Sequence, residues 1–201
     1  PVTMTGTSTF DNQNGGIVNG AVSIGTNATK TTDKSTFINE SGGTVTGNVD
    51  VYGTPAPPGG YNLLNDTGAL ITGNVDSYYN SVVENEGTIA GNAIAGGNSS
   101  ITNDGTITKN FTSLNNAVAV NNGTVQGNAN LQGVGSATFV NGGTGIIDGA
   151  VNVTGGLNNP NANQFGFTND SGGQILGGAN VSNGSLLNEG TIGNNQPAGV
   201  G

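Results

Sequence analysis

One phrase recurs nine times along the chain and constrains the fold more than any other feature. Its fullest copies are the segments 37–51 and 83–93. Each copy carries one asparagine at the same place, and these are Asn12, Asn39, Asn65, Asn85, Asn103, Asn121, Asn141, Asn169 and Asn188. Subtracting neighbouring numbers gives spacings of 27, 26, 20, 18, 18, 20, 28 and 19 residues. A period of this length predicts a solenoid, in which stacked copies bury their apolar faces against one another.

Each copy predicts three short β-strands joined by tight turns. In the first of the two fullest copies, apolar and polar residues alternate over 44–46 and 49–51, which is typical of half-buried strands. Phe37 and Asn39 alternate with Ile38 over a first short strand. Between these strands, 40–43 and 47–48 contain glycine, which permits tight turns. A helix is disfavoured, because glycine recurs in every copy and costs about 1 kcal/mol at a helical position.

The three strands of each copy predict three inward columns of apolar side chains. The first column is Phe10, Phe37, Leu63, Val83, Ile101, Ala119, Phe139, Phe167 and Leu186. The second is Val18, Val45, Ile71, Ile89, Ile107, Val125, Ile147, Ile175 and Ile192. The third is Val22, Val49, Val75, Ala93, Phe111, Ala129, Val151 and Ala179. The sequence therefore predicts an all-β fold, a single parallel β-helix of about nine coils, as one domain over 1–201 with repeats from about 10 to 193 and short irregular terminal segments.

The charge balance excludes several classes of function. Twelve acidic residues and three lysines (Lys30, Lys34 and Lys109) give a net charge of −9, and the chain has no arginine, histidine or cysteine. Nucleic acids and anionic membrane surfaces are not expected partners, because both attract cationic proteins. No apolar run approaches the roughly 20 residues of a spanning helix, so this segment is not expected to insert into a membrane. A histidine-based triad and thiolate chemistry are also excluded.

The repeated asparagines predict a polar column at the first turn of each coil. Stacked about 4.8 Å apart along the axis, their side chains can both donate to and accept from the coils above and below. Such bonds satisfy polar groups that a buried turn would otherwise leave unpaired. We therefore expect this asparagine ladder to be structural.

Two outward aspartates are candidates for catalysis. Asp50 and Asp76 occupy the same position on successive coils, and paired carboxylates can hydrolyse glycosides. Aromatic platforms for sugars are scarce, since the chain has no tryptophan and only four tyrosines, at 52, 61, 78 and 79. A pair of solvated surface acids is therefore the preferred interpretation.

A second set of acids follows the ladder asparagine. The next residue is acidic in six of the nine copies, at Glu40, Asp66, Glu86, Asp104, Asp170 and Glu189. Stacked carboxylates repel one another unless a cation lies between them. Carboxylate oxygens suit Ca²⁺, so calcium along Glu40, Asp66, Glu86 and Asp104 is an alternative to a solubilising acidic ridge. The glycine-rich calcium-roll repeat is absent, and no other cofactor is expected.

Long insertions interrupt the repeat at one place in the coil. The segments 25–36, 53–62 and 155–164 all follow the third strand, so they are predicted to project from one edge of the solenoid. Insertions on one face of repeat proteins are often binding loops, although extra loop length is also well tolerated. The proline-rich loop 55–61 is the most distinctive.

Two outward columns are candidates for surface interactions. A recurring threonine beside the second strand makes ice binding a minor alternative, at Thr44, Thr88, Thr106, Thr124 and Thr191. Apolar residues recur where a solvated first strand would carry polar ones, which marks a candidate assembly face at Ile38, Leu64, Val120, Val140 and Leu187. Scattered exposed apolar residues are ordinary, but recurrence at one position favours self-association.

Three segments carry a resemblance to a known group of proteins. The residues 85–92, 103–108 and 121–128 resemble coils of autotransporter passenger domains and are similar to filamentous-haemagglutinin-like adhesins of Gram-negative bacteria. The resemblance covers nearly the whole chain. It implies a secreted, right-handed β-helix that holds or forms an adhesive stalk, and it supplies no catalytic motif.

The sequence favours a non-enzymatic, secreted structural or adhesive module that presents loops and faces at the cell surface to a receptor of undetermined kind. An extracellular filament subunit is the alternative. Neither terminus shows an amphipathic capping helix, and open ends of a β-helix can stack head to tail into a fibre. A carboxylate-based glycan hydrolase is a third, minor hypothesis.

Overall fold

The computed structural model describes residues 1–26, 33–53, 60–133, 135–155 and 166–193. All regular secondary structure in these ranges is β, in 27 short strands. The strands form three parallel sheets of nine strands each, and successive strands of one sheet come from successive coils. The chain is therefore a parallel β-helix with three strands per coil, as the repeat predicted. Nowhere in the described ranges is there a helix long and apolar enough to span a membrane.

Each sheet takes one strand from every coil. The strands of the first sheet are Thr9–Asn12, Thr36–Asn39, Leu63–Asn65, Val82–Asn85, Ser100–Asn103, Val118–Asn121, Thr138–Asn141, Gly166–Asn169 and Ser185–Asn188. Those of the second are Ile17–Val18, Thr44–Val45, Leu70–Ile71, Thr88–Ile89, Thr106–Ile107, Thr124–Val125, Ile146–Ile147, Gln174–Ile175 and Thr191–Ile192. Those of the third are Val2–Met4, Val22–Ile24, Val49–Tyr52, Val75–Tyr78, Ala93–Gly96, Phe111–Leu114, Ala129–Gly133, Val151–Gly155 and Ala179–Ser182.

The strand register confirms the three inward columns. In the first sheet Phe37 pairs with Phe10 on one side and Leu63 on the other. In the second sheet Ile107 pairs with Ile89 and Val125. The pairing continues in the same register through every coil of all three sheets.

The two ends of the third sheet differ from the expectation. Residues Val2–Met4 form a strand that pairs with Val22–Ile24, so this sheet begins before the first full repeat. No copy of the repeated phrase precedes these residues, and the spacing therefore gave no sign of them. Ala179, expected in the interior, is exposed because it lies on the last described strand of its sheet.

Aromatic side chains stack on one another inside the coil. The rings of Phe139 and Phe167 on successive coils of the first sheet are 4.9 Å apart and stacked, and Phe111 of the third sheet meets Phe139 edge to face at 4.9 Å. Phe10 stacks on Phe37 near the other end, at 5.1 Å. Burying a large apolar side chain contributes roughly 1.5–3 kcal/mol, so the interior columns are the main source of stability.

Glycine at the first turn is required by the close approach of successive coils. A Cβ added to Gly123 would collide with the carbonyl oxygen of Gly105 in the preceding coil. Longer first turns also need a positive φ, as at Gly42 (φ 78°). The glycine of the repeated phrase therefore serves packing along the axis in the short coils and backbone conformation in the longer ones.

At least half of each predicted insertion lies outside the described residues, which omit 27–32, 54–59 and 156–165. The described flanks show that all three insertions follow a strand of the third sheet. Asp33 lies within the first insertion and is buried, and its carboxylate accepts hydrogen bonds from the backbone N–H groups of Gly6 at 2.7 Å and Ser35 at 3.0 Å.

Candidate functional site

The ladder asparagines form one continuous column of side-chain hydrogen bonds. From Asn12 to Asn188, each Nδ2 donates to the Oδ1 of the next asparagine at 2.6–2.8 Å. Asn103 is typical, because its Nδ2 donates to Asn121 Oδ1 at 2.7 Å and lies 3.3 Å from the carbonyl oxygen of Thr124. Because Nδ2 and Oδ1 of these amides are already hydrogen-bonded, the ladder holds the first turns together and leaves few polar atoms free to bind a ligand.

A second asparagine column lies at the turn between the second and third strands. Here the side-chain oxygen accepts a hydrogen bond from a backbone N–H of the next coil, at 2.8–3.1 Å. Its members are Asn48, Asn74, Asn92, Asn110 and Asn128. The repeated dipeptide Gly-Asn at this turn was the sequence signal, but it predicted only a turn and not a ladder.

The acidic column after the ladder asparagine shows no clustering of potential metal ligands in the part of the chain that the structure describes. Within the described residues no three His, Cys, Asp or Glu side chains come together as a metal site would need. Individual acids bond locally instead. Thr67 donates to Glu86 at 3.2 Å, and Asn122 donates to Asp104 at 2.8 Å. The structure therefore brings Glu40, Asp66, Glu86 and Asp104 into one column without gathering them around a common point.

The candidate assembly face lies in one outward column of the first sheet but is not continuous. Ile38 pairs with Leu64, and Val120 with Val140. Two polar residues, Glu84 and Thr102, occupy the coils between these pairs, and Thr168 separates Val140 from Leu187. The result is two short apolar patches and an exposed leucine on the last described coil.

The threonines of the second sheet also share one outward column. Three of them, Thr88, Thr106 and Thr124, are consecutive. Apolar side chains interrupt the column on both sides, at Leu70 and Ile146. A flat rank of threonines is therefore limited to three coils.

Asp50 and Asp76 are neighbours on the outward face of the third sheet. They are register partners on adjacent parallel strands, and such strands lie about 4.8 Å apart. Burial raises the pKa of Asp50, and burial together with the charge of Asp50 raises the pKa of Asp76. The Oδ1 atom of Asp76 is buried and has no hydrogen-bond partner among the described residues. Both carboxylates therefore lie in a partly dry site that disfavours their charge.

Tyr52 and Tyr78 lie beside these carboxylates, and Tyr79 lies against their rings. Tyr52 and Tyr78 are register partners two positions after the aspartates, and their rings stack at 5.9 Å with 21° between the planes. The ring of Tyr79 lies 6.1 Å from that of Tyr52 and 6.4 Å from that of Tyr78. Burial raises the pKa of Tyr52 and of Tyr78, and the charges of Asp50 and Asp76 raise both pKa values further. We call these five residues the tyrosine–aspartate patch.

The backbone around the patch is adapted to its aromatic rings. Tyr79 has a φ of 58°, a left-handed conformation that strains a bulky residue. The next two coils place Gly97 (φ 57°) and Asn115 (φ 60°) at this turn, and both residue types tolerate it well. Gly96 faces Tyr78, and a Cβ there would lie 2.8 Å from the tyrosine ring. Strain of this kind is characteristic of functional sites.

The repeat numbering contained a signal for this patch. Tyr52 follows Asn39 by 13 residues and Tyr78 follows Asn65 by 13, which places both at the same point of successive coils. The small number of tyrosines predicted few aromatic platforms, but three of the four lie together. Tyr79 could not be placed in this way, because its position depends on the turn conformation.

The patch combines hydrogen-bond acceptors with aromatic faces at the surface. All five side chains are half-buried, so each retains some contact with solvent. Carboxylates accept hydrogen bonds and attract cations, while tyrosine rings offer apolar, electron-rich faces. This arrangement suits recognition of a chemical group that has a flat or apolar face and also carries several hydrogen-bond donors.

No family model matches the chain, and neither a curated protein nor a solved structure matches it.

Proposed function

We propose that this chain is a non-enzymatic structural and adhesive module that is secreted and presented at a bacterial cell surface. The observation that carries the proposal is the asparagine ladder, which runs through every coil and supports sheets whose outward residues vary. A stiff scaffold with variable faces is suited to presenting contact groups at a distance. The resemblance to autotransporter passenger domains and filamentous-haemagglutinin-like adhesins supports the same conclusion.

The composition supports a binding role over a catalytic one. The chain has no histidine, cysteine or arginine, and these residues supply most general bases, nucleophiles and anion clamps. The carboxylate pair Asp50 and Asp76 is the one arrangement that favours the hydrolase alternative. Polysaccharides incubated with the protein should release no reducing ends or unsaturated products. Turnover that disappears in Asp50→Asn or Asp76→Asn would establish the hydrolase instead.

Surface presentation is tested on the producing cell. Antibodies raised against the folded chain should label intact, non-permeabilised cells, and beads coated with the chain should attach to a host or bacterial surface. Beads coated with the heat-unfolded chain serve as the control. Labelling that requires permeabilisation would contradict extracellular presentation, and equal attachment of both bead types would contradict specific adhesion.

A filament subunit remains a second candidate because apolar side chains are exposed on the terminal coils. Ile17 in the first coil is 64% exposed, and Val181 and Leu187 near the other end are 48% and 55% exposed. Parallel strands with unpaired edges can extend a sheet into a second copy. Val181 is the register partner of the buried Val153, so its exposure lies on the end of the last described coil, whereas Ile17 and Leu187 face outward from the side of the sheets. An exposed apolar group at an end would strengthen such a joint.

Sedimentation velocity over a range of protein concentrations tests assembly. Growth through the ends predicts that Val181→Lys blocks association, because the lysine would be buried at the joint. Val118→Lys is the matched control, since Val118 is 40% exposed on the side of the rod, away from the ends. Loss of association only in Val118→Lys would indicate lateral contact, and a monomer at every concentration would remove the filament hypothesis.

A further inference from the structure

We propose that the tyrosine–aspartate patch binds the guanidinium group of an arginine side chain from a basic partner protein. The biological context of this inference rests on the proposed adhesive function, although the binding itself can be measured separately. The patch consists of Asp50, Tyr52, Asp76, Tyr78 and Tyr79 on two adjacent coils.

The carboxylates of Asp50 and Asp76 have no neighbouring cation among the described residues. No positive charge lowers the pKa of Asp50 or Asp76, and the causes that act on them are burial and carboxylate repulsion. The whole chain holds three lysines and no arginine. Asp76 Oδ1 is also buried without a hydrogen-bond donor among the described residues. A cation with several donors would satisfy this oxygen and relieve the repulsion between the two charges.

The rings favour guanidinium over a compact ammonium group. Tyr52 and Tyr78 are stacked with only 21° between their planes, so they form an aromatic column beside the two carboxylates. Guanidinium is planar, stacks on aromatic faces and directs its donors in a fork that matches carboxylate oxygens. Ring centroids only 5.9 Å apart leave no room for a ligand between Tyr52 and Tyr78. Gly96 of the next coil lies against the ring of Tyr78. The cation must therefore lie on the face of Tyr52 turned away from Tyr78 or against the ring of Tyr79.

Tyr79 and Gly96 indicate that the patch is maintained at some cost to the fold. Tyr79 holds a backbone conformation that the neighbouring coils give to glycine or asparagine. Gly96 leaves space for the ring of Tyr78 at a position where the following coil has Leu114. An ordinary solvated surface would need neither feature. A second copy of this chain is not the expected partner, because the chain has no arginine.

The experiment uses the folded chain and a pair of short peptides that differ in one group. One peptide carries several arginines, and its partner carries citrulline, which is neutral but nearly isosteric, at the same places. Intrinsic tyrosine fluorescence reports binding directly, because the chain has no tryptophan and three of its four tyrosines lie in the patch. We expect a dissociation constant on the order of millimolar per arginine side chain, at least about tenfold weaker binding of the citrulline peptide, and weaker binding as salt rises.

Two variants and a charge-matched control localise the binding. Asp50→Asn/Asp76→Asn should abolish it while keeping the fold, because the same column already holds asparagine in three other coils. Tyr79→Asn should weaken it several-fold without loss of stability. Asp11→Asn/Asp148→Asn changes the net charge equally at two exposed positions and should bind as the native chain does.

Several outcomes would overturn the proposal. Equal binding of the arginine and citrulline peptides would show that charge is not recognised, and undiminished binding by Asp50→Asn/Asp76→Asn would place the site elsewhere. Preferred binding of a neutral saccharide at the patch would replace guanidinium with a glycan. Peptide binding without bead adhesion or surface labelling would leave this site standing and contradict only the adhesive function.

Discussion

The outward column of the third sheet is built in two different ways along its length. Near the carboxyl end, Asn152 Nδ2 donates to Asn130 Oδ1 and Asn180 Nδ2 donates to Asn152 Oδ1, both at 3.0 Å. Near the amino end, the same column carries Asp50 and Asp76. An amide has both donors and an acceptor, whereas an ionised carboxylate only accepts. Stacked amides therefore satisfy one another, and stacked carboxylates leave acceptors for an external donor.

The amide region and the carboxylate region of this column cover the same kind of interior, so they differ only at the surface. The first ladder and the inward columns continue unchanged beneath the amide and the carboxylate regions. A solenoid can therefore change the chemistry of one face without altering the coil that carries it. Separate tests of the interior, the amide region and the carboxylate region should give effects of different size and sign.

The largest effect is expected in the interior that both regions share. Ile107 is fully buried in the central part of the second sheet. Ile107→Asp buries a charge among apolar neighbours, which should cost at least about 4 kcal/mol and remove cooperative thermal unfolding. Thr106→Asp is the control, because Thr106 is the adjacent outward residue of the same strand. Circular dichroism melts should separate the two, and a native-like melting temperature for Ile107→Asp would show that the register is wrong.

An intermediate effect distinguishes the buried ladder from the outer amide chain. Asn103→Ala leaves the amide of Asn85 without its acceptor and that of Asn121 without its donor, so it should cost on the order of 1–3 kcal/mol. Asn130→Ala removes bonds on a half-buried face, where water can replace them, so its cost should be less than about 1 kcal/mol. Urea denaturation measures both free energies of unfolding. Similar costs would mean that burial does not separate the two ladders.

The inward register followed from the sequence because interior positions repeat in every coil. Alternation around the ladder asparagine located Phe37, Ile107 and their column partners, and the structure confirms those columns. The patch was harder to predict because its residues recur in only two of the coils. Its assembly depends on two ring positions in neighbouring coils and on the left-handed turn at Tyr79. Local alternation does not encode such a turn, since tyrosine is an unusual choice there.

The smallest effects on stability come from exchanging carboxylates and amides in this column. Replacing an aspartate with asparagine should stabilise the fold, and replacing asparagines with aspartates should destabilise it. The ordinary pKa of an aspartate is 3.8, and the folded chain raises the pKa of both Asp50 and Asp76. The folded state therefore holds protons more tightly than the unfolded state, and stability falls as pH rises from below 3.8 through the raised values. At pH values above the raised pKa values, both aspartates are charged and the whole of this stability has been lost. Asp76→Asn should therefore melt at a higher temperature than the native chain at neutral pH.

The reciprocal exchange completes this test. Asn130→Asp/Asn152→Asp would replace two bonded amides with adjacent carboxylates at register partners. This variant should melt at a lower temperature than the native chain at neutral pH and recover part of the difference near pH 4, where protonated carboxyls can again donate. Melting curves between pH 3 and pH 8 for the three proteins measure both shifts. Asp76→Asn melting below the native chain at neutral pH, or a pH-independent loss in the double variant, would show that carboxylate repulsion does not distinguish the two regions. If both shifts appear as expected, the aspartates lower the stability of the unliganded chain, and a cationic ligand should raise the melting temperature of the native protein but not that of Asp50→Asn/Asp76→Asn.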